Sequence, residues 1–286
     1  SEAPTERREA TRRVPAISQS LYQRLQDTQE LIDLGELDAA DVELDEALAR
    51  RRLNDYERAV LWQLKGGIAF ARDDMAATII AYETIMRFRN SLPIEQEINT
   101  LYGLAQLHFT AETYDKAKHY LEEWQTFKSR SISAAQYQFQ AQFYYTIGDF
   151  KTALVHLDAL LAAAALNDTL EVKENWYQLK LSAHWELGDF NSVRDSLEYM
   201  VQRWPSARYW TQLAAAYQEL GDVETSYSVT EAAYRQGWLD SLEEQLLLVA
   251  RIQMVRDTPI RCAWVIEKAF DERRLPATAE NYKTLG

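Results

Sequence analysis

The chain has 286 residues with only 9 Gly and 6 Pro, and a formal net charge of −13. So few turn-formers argue against a sheet protein with many tight turns, and the abundance of Ala, Leu, Gln, Glu and Arg predicts an all-α chain. The acidic balance argues against nucleic acid and anionic membrane surfaces as partners and favours solubility, with a basic partner the natural complement.

The chain opens on SEAPTERREATRR, polar and charged, so it carries no visible signal peptide; a removed one would leave no trace. Residues 1–13 read as a flexible polar tail, made locally basic by Arg7, Arg8, Arg12 and Arg13. A solubilising tail is the expectation; folding back onto the acidic body or contact with a second chain are the alternatives. Residues 14–286 read as one repeating body. The longest apolar run, ALLAAAAL at 159–166, is far too short to span a bilayer. Cys262 is the single cysteine, unable to form an internal disulfide or a metal site alone, and reads as a small core residue.

A turn recurs along this body. It is clearest as IGDF (147–150), LGDF (187–190) and LGDV (220–223), and weaker as LGEL (34–37), RDDM (72–75), AETY (111–114) and VRDT (255–258). The shared position falls at Gly35, Asp73, Glu112, Gly148, Gly188, Gly221 and Asp257, in steps of 38, 39, 36, 40, 33 and 36 residues. Before each turn, apolar or ring side chains recur at helical spacing, as in Trp210, Leu213, Ala214 and Tyr217. After it a second amphipathic stretch follows, as in Ala153, Leu157 and Leu160. The turn glycines suit a left-handed residue ending the first helix. Two short amphipathic helices cannot bury their faces alone, but stacked copies can. Seven units cover about residues 21 to 275. Tyr282, Leu285 and Gly286 fit the start of an eighth, so the chain is expected to stop within that unit and to be part of a longer protein.

The pattern resembles the tetratricopeptide repeat, a helix-turn-helix unit of about 34 residues. Trp210, Ala214 and Tyr217 fit its fourth, eighth and eleventh positions; Trp62 and Gly66 fit the fourth and eighth. Tyr144 fits the eleventh, Ala117 and Ala153 the twentieth, and Pro205 the thirty-second. Val193 and Ser226 depart from the usual alanine at the twentieth. The resemblance implies a right-handed superhelical solenoid. Three segments, 11–33, 172–190 and 209–239, look further like the tetratricopeptide proteins encoded beside TonB, ExbB and ExbD components in Gram-negative bacteria. That likeness implies a periplasmic accessory of TonB-dependent transport, with TonB, ExbB or ExbD as partners and a cytoplasmic setting as the alternative. A scaffold for outer-membrane or pilus assembly, and an enzyme accessory domain, are the rival functions. Self-association through the exposed ends is a further expectation.

Chemistry has little to stand on. His108, His119, His156 and His184 form no metal spacing, and His108 and His184 take the place of a packed ring. The acidic pairs at 73–74, 122–123 and 243–244 are neighbours in sequence and diverge by about 100° on a helix, which suits a solvated face. No phosphate-binding loop or nucleophile elbow is present. The glycine pair in LKGGIA (64–69) reads as close helix packing. We expect no enzyme activity and no cofactor.

Many rings fill core positions of the repeat, among them Trp62, Tyr82, Trp124, Tyr144 and Tyr177. Another set faces the inner groove that first helices line in this fold. The twelfth position reads Phe70, Phe109, Tyr145, Trp185 and Gln218; the fifth reads Gln63, Tyr102, Gln138, Gln178 and Thr211; the ninth includes Gln142. Rings with interleaved amides suit an extended peptide, whose backbone a Gln side chain can both donate to and accept from. The competing reading has the twelfth position packing on a neighbouring helix.

Overall fold

At every predicted turn one helix ends and the next begins with three residues between them. The structure, a computed structural model, describes residues 12–127, 132–167, 169–240 and 243–285. Among these it has fifteen α-helices, one short 3-10 turn (Arg89–Ser91) and no strand. The chain forms two compact units, Ser1–Ser131 and Ile132–Gly286.

The first unit holds three hairpins: α1 (Gln19–Asp33) with α2 (Leu37–Leu48), α3 (Asp55–Ala71) with α4 (Met75–Arg87), and α5 (Ile94–Thr110) with α6 (Tyr114–Gln125). The second holds four: α7 (Ala134–Thr146) with α8 (Phe150–Ala165), α9 (Glu174–Glu186) with α10 (Phe190–Arg203), α11 (Ala207–Glu219) with α12 (Val223–Arg235), and α13 (Glu243–Val255) with α14 (Pro259–Asp271). A last helix, α15 (Ala279–Leu285), packs on α14. Within each unit the second helix of a hairpin packs on the first helix of the next, as α4 does on α5 and α10 on α11. The apolar faces therefore merge into shared cores. One gathers Leu21, Leu44, Leu61 and Ile68; another gathers Leu181, Leu197, Met200 and Leu213.

The seven turn residues all adopt positive φ, from 53° at Asp257 to 79° at Gly148. Each is the left-handed residue of a Schellman motif. At α9, for example, Gly188 N–H donates to Trp185 O at 3.0 Å and Asp189 N–H to His184 O at 3.0 Å. The residue that follows has a second task. Asp74, Asp149, Asp189 and Asp222 each accept a backbone N–H from the first turn of the next helix and so cap its N-terminus. The recurring Gly-Asp is thus one helix end and one helix start with no residue between them. Asp73 and Asp74, read in sequence as a solvated pair, divide these two jobs.

Five residues beyond each turn residue the side chain is buried in every hairpin, Thr78 of the second included. Ala40, Ala117, Ala153, Val193 and Ser226 are fully buried there, and Cys262, 1% exposed, holds the same place in the seventh hairpin. Its burial among apolar neighbours pushes the thiol pKa up.

Residues 1–11 of the polar tail lie outside the described residues. From Arg12 onward the chain is tied to the first unit. Ser18 N–H donates to Glu57 Oε1 at 2.8 Å, and Asn54 Nδ2 donates to Ala16 O at 3.0 Å. Arg12 Nη1 donates to Arg89 O at 2.8 Å and pairs with the fully buried carboxylate of Glu97, which also pairs with Arg89.

Candidate functional site

In the first unit, α3 and α5 carry Gln63, Phe70, Tyr102 and Phe109. Gln63 is exposed on α3, and its Oε1 accepts from Gln96 Nε2 of α5 at 2.8 Å. These two amides stand in the wall of a cleft of about 420 Å³, completed by Tyr82, Glu95, Asn99 and Thr100. The structure does not bring Phe70 to this cleft; its ring is 64% exposed at the far end of α3. Tyr102 is half-buried against Trp124, ring centroids 5.1 Å apart, and burial pushes its phenol pKa up. Phe109 leans on Tyr114 at 5.9 Å.

In the second unit the amides again bridge successive first helices. Gln138 Oε1 on α7 accepts from Trp176 Nε1 on α9 at 3.1 Å. Gln178 Nε2 on α9 donates to the Tyr209 hydroxyl on α11 at 2.6 Å, and that hydroxyl donates in turn to the Glu174 carboxylate. Gln142 is exposed, and its Nε2 reaches Thr146 Oγ1 one turn on at 3.4 Å. A smaller hollow of about 60 Å³ opens at Gln178, Ser182, Trp185, Arg208 and Gln212. Gln212 Oε1 is buried there with no hydrogen-bond partner, and Trp185 is 40% exposed on its rim.

Three of the four twelfth-position rings, all but Phe70, share one arrangement. Tyr145 meets Phe150 at 5.3 Å and Trp185 meets Phe190 at 5.5 Å, both edge to face, and Phe109 meets Tyr114 at a tilt of 50° across its turn. Each ring packs over the left-handed turn onto the residue that opens the second helix of its own hairpin, keeping its outer side in solvent. The fifth-position amides of Gln63, Gln138 and Gln178 link neighbouring hairpins.

Sequence reasoning missed Gln96, Asn99, Arg208 and Gln212. A signal existed for two of them: Asn99 and Arg208 stand three residues before Tyr102 and Thr211 of the fifth position, and helical spacing puts them on the same face. Gln96 and Gln212 have no such signal; each depends on how closely adjacent helices approach.

The histidines have structural partners. His108 is buried, stacks on Tyr120 at 5.4 Å, and places Nδ1 2.8 Å from Thr113 Oγ1. His184 Nδ1 lies 3.2 Å from Asp189 Oδ2. Burial lowers the pKa of both, and lowers His156 to about 4. Among the described residues, no three His, Cys, Asp or Glu side chains converge as metal ligands would.

No protein-family model matches the chain, and no curated protein matches it. Solved structures do. A tetratricopeptide repeat protein from Parabacteroides merdae is similar with a TM-score of 0.50 at 15% identity, over 94% of this chain and 98% of that one. A structure of Naa15/Naa10 bound to HypK-THB is similar with a TM-score of 0.52 at 15% identity, over 80% of this chain and 33% of that one. At such identity the likeness is one of fold, and the fold is that of the tetratricopeptide helix hairpin.

Proposed function

We propose that this chain is a non-catalytic scaffold that holds an extended partner segment against the faces lined by its odd-numbered helices. The observation that carries the reading is the cleft between α3 and α5, where Gln63, Gln96 and Asn99 offer amides along one wall with Glu95 and Thr100 beside them. Amides can pair with both the N–H and the C=O of an extended backbone, so the wall can hold a peptide with little demand on its side chains. In the second unit the Gln212 acceptor and the rim ring of Trp185 provide the same two kinds of contact. The Naa15/Naa10 structure, similar in fold and bound to HypK-THB, is consistent with such a use.

The partner we assign is a component of a TonB-ExbB-ExbD system, met in the periplasm. The support is the resemblance of segments 11–33, 172–190 and 209–239 to proteins encoded beside such components. Among the described residues no helix is long and apolar enough to cross a membrane.

The test is titration of the purified periplasmic segments of TonB and ExbD against the chain. Gln63→Ala with Asn99→Ala probes the first unit, and Trp185→Ala with Tyr145→Ala the second. A loss of tenfold or more in affinity, with the thermal midpoint held near that of the parent, is expected for at least one pair. Unchanged affinity in both pairs would sink the reading of these faces. Absence of binding by any TonB-system segment would remove that partner and leave the faces to be tested with another.

A further inference from the structure

The second helices of the last two hairpins, α12 and α14, flank a cleft of about 350 Å³. Into it α12 presents Glu231, Tyr234 and Arg235, and α14 presents Arg261, Trp264 and Lys268. Tyr234 and Arg235 stand three and four residues after Glu231, and Arg261, Trp264 and Lys268 are spaced by three, four and seven, which turns each set toward one side of its helix. Gln253 of α13 closes its floor, and the cleft shares no residue with the two clefts described above.

Three cations, Arg235, Arg261 and Lys268, line this cleft with one carboxylate, Glu231, in a chain whose net charge is −13. Glu231 is already shared: it pairs with Arg235, with Arg261 at 3.2 Å and with Arg256 at 3.2 Å. Arg256, which does not line the cleft, has a second carboxylate in Glu224 at 3.7 Å; among the lining residues Glu231 is the one carboxylate for both Arg235 and Arg261, whose side chains remain 65% and 48% exposed. The Lys268 ammonium sits 5.7 Å from the centre of the Tyr234 ring, with Glu272 at 3.9 Å behind it. Between the cations Trp264 is 59% exposed, and one turn earlier Ile260 is 60% exposed.

The repeat supplies its own control. Trp264 is the seventh residue after its turn residue; the same place elsewhere holds Val42, Ile80, His119, Val155, Asp195 and Ser228. This place is open to solvent in other hairpins too, with Val42 and Val155 59% and 64% exposed. Only in the seventh hairpin does it carry an indole, and only there do both flanking places, fourth and eleventh after the turn, carry cations; the third hairpin has Lys116 but Glu123. The packing of the fold does not ask for this combination, since six hairpins are built without it.

We infer that this cleft is a second binding site, for a partner peptide in which a carboxylate side chain stands beside a bulky apolar one. The carboxylate meets the guanidinium forks of Arg261 and Arg235, a geometry that favours paired hydrogen bonds. The apolar neighbour covers Trp264 and removes its ring from water. The overall negative charge of the chain does not forbid this: at physiological salt, charges beyond about 8 Å are largely screened, so the local cations govern the contact.

The test uses the whole chain and a panel of acetylated, amidated hexapeptides pairing aspartate or glutamate with leucine, phenylalanine or tryptophan at each spacing, read by fluorescence polarisation. A matched panel with lysine in place of the acids is the control. Saturable binding of an acidic member is expected, weakened at least tenfold by Arg261→Ala with Lys268→Ala, weakened similarly by Trp264→Ala, and reduced as salt rises from about 0.01 M to about 0.15 M. These side chains are exposed, so circular dichroism and the thermal midpoint should not move. Binding that survives both variants, equal binding of the lysine panel, or no saturable binding in the acidic panel would each overturn the inference. So would self-association in sedimentation that Trp264→Ala abolishes, which would give the cleft to a second copy of this chain.

Discussion

The ring of Tyr82 lies against Gly66 so closely that a β-carbon on that glycine would stand 3.0 Å from the ring Cε2. The opposite edge of the same ring faces Gly103, where a β-carbon would stand 3.1 Å from Cε1. The ring of α4 is thus wedged between α3 and α5 and cannot slide from one glycine without closing on the other. Gly66→Ala should cost about 1–3 kcal/mol, the usual penalty for adding volume to a filled contact. The adjacent Gly67 has nothing within 4 Å of its would-be β-carbon, so Gly67→Ala should gain up to about 1 kcal/mol through helix propensity. Urea denaturation of the two variants is expected to show opposite signs at neighbouring positions. Equal signs would mean that the wedge is not what sets the cost.

Glu112 holds φ 56° with a side chain, where four of the seven turns use glycine. Glu112→Gly should stabilise by about 0.5 kcal/mol, the relief of left-handed strain less the added freedom of the unfolded chain. Gly188→Ala should lose about 1 kcal/mol even though no atom lies within 4 Å of the new methyl. Denaturation midpoints compare the two, and a neutral Gly188→Ala would show that the turn has relaxed away from positive φ.

Ser226 is fully buried where three of the other hairpins place Ala, and its hydroxyl has no hydrogen-bond partner. Ser226→Ala removes an unpaired polar group and keeps the close helix approach. A gain of about 1 kcal/mol is expected in thermal or urea denaturation. A loss would mean that the hydroxyl is paired in solution.

His156 stacks on Tyr144, ring centroids 5.3 Å apart and 11° from parallel, and burial depresses its pKa to about 4 against the weaker opposing pull of Asp149. The folded state therefore releases a proton that the unfolded chain keeps, between the ordinary 6.5 and about 4. Above that window neither state is protonated; below it both are. Stability should fall as pH drops through the window, by at most about 1.4 kcal/mol per unit from this residue. His108 and His184 are lowered as well and contribute in the same direction. His156→Phe keeps a stacked ring and should flatten the slope by up to one proton, measured as denaturation midpoints across that range. An unchanged slope would remove His156 from the account.

The turns were legible because left-handed backbone leaves a mark in sequence. Glycine stands at four of the seven places, and the spacing alone located Asp73, Glu112 and Asp257, all three at positive φ. The close-contact position was legible for a similar reason, since only small or compact side chains fit it; Cys262 falls there without needing any redox role. The amide bridges were not. Gln138 and Gln178 find partners 38 and 31 residues ahead, a difference equal to that between the 40- and 33-residue steps of their turns, but the step places the partner in register without showing that the two side chains bond. Whether a Gln faces a ligand or a neighbour is settled by a few tenths of an ångström between helices. The cleft at Trp264 was hidden for another reason. Its cations come from two helices, and on each alone they read as ordinary surface charge.

The Gly-Asp turn leaves no slack between its helices. Gly188 closes the carbonyl end of α9 while Asp189 opens the amide end of α10, so fraying either helix strips a cap from the other. The element that opens should therefore be the pair rather than the helix. In native-state hydrogen exchange, amides of α9 and α10 should share one opening free energy, and steps in protection should fall between hairpins, at the longer loops, and not at the turns. A partner that clamps one helix of a pair would then slow exchange in its mate, without touching it.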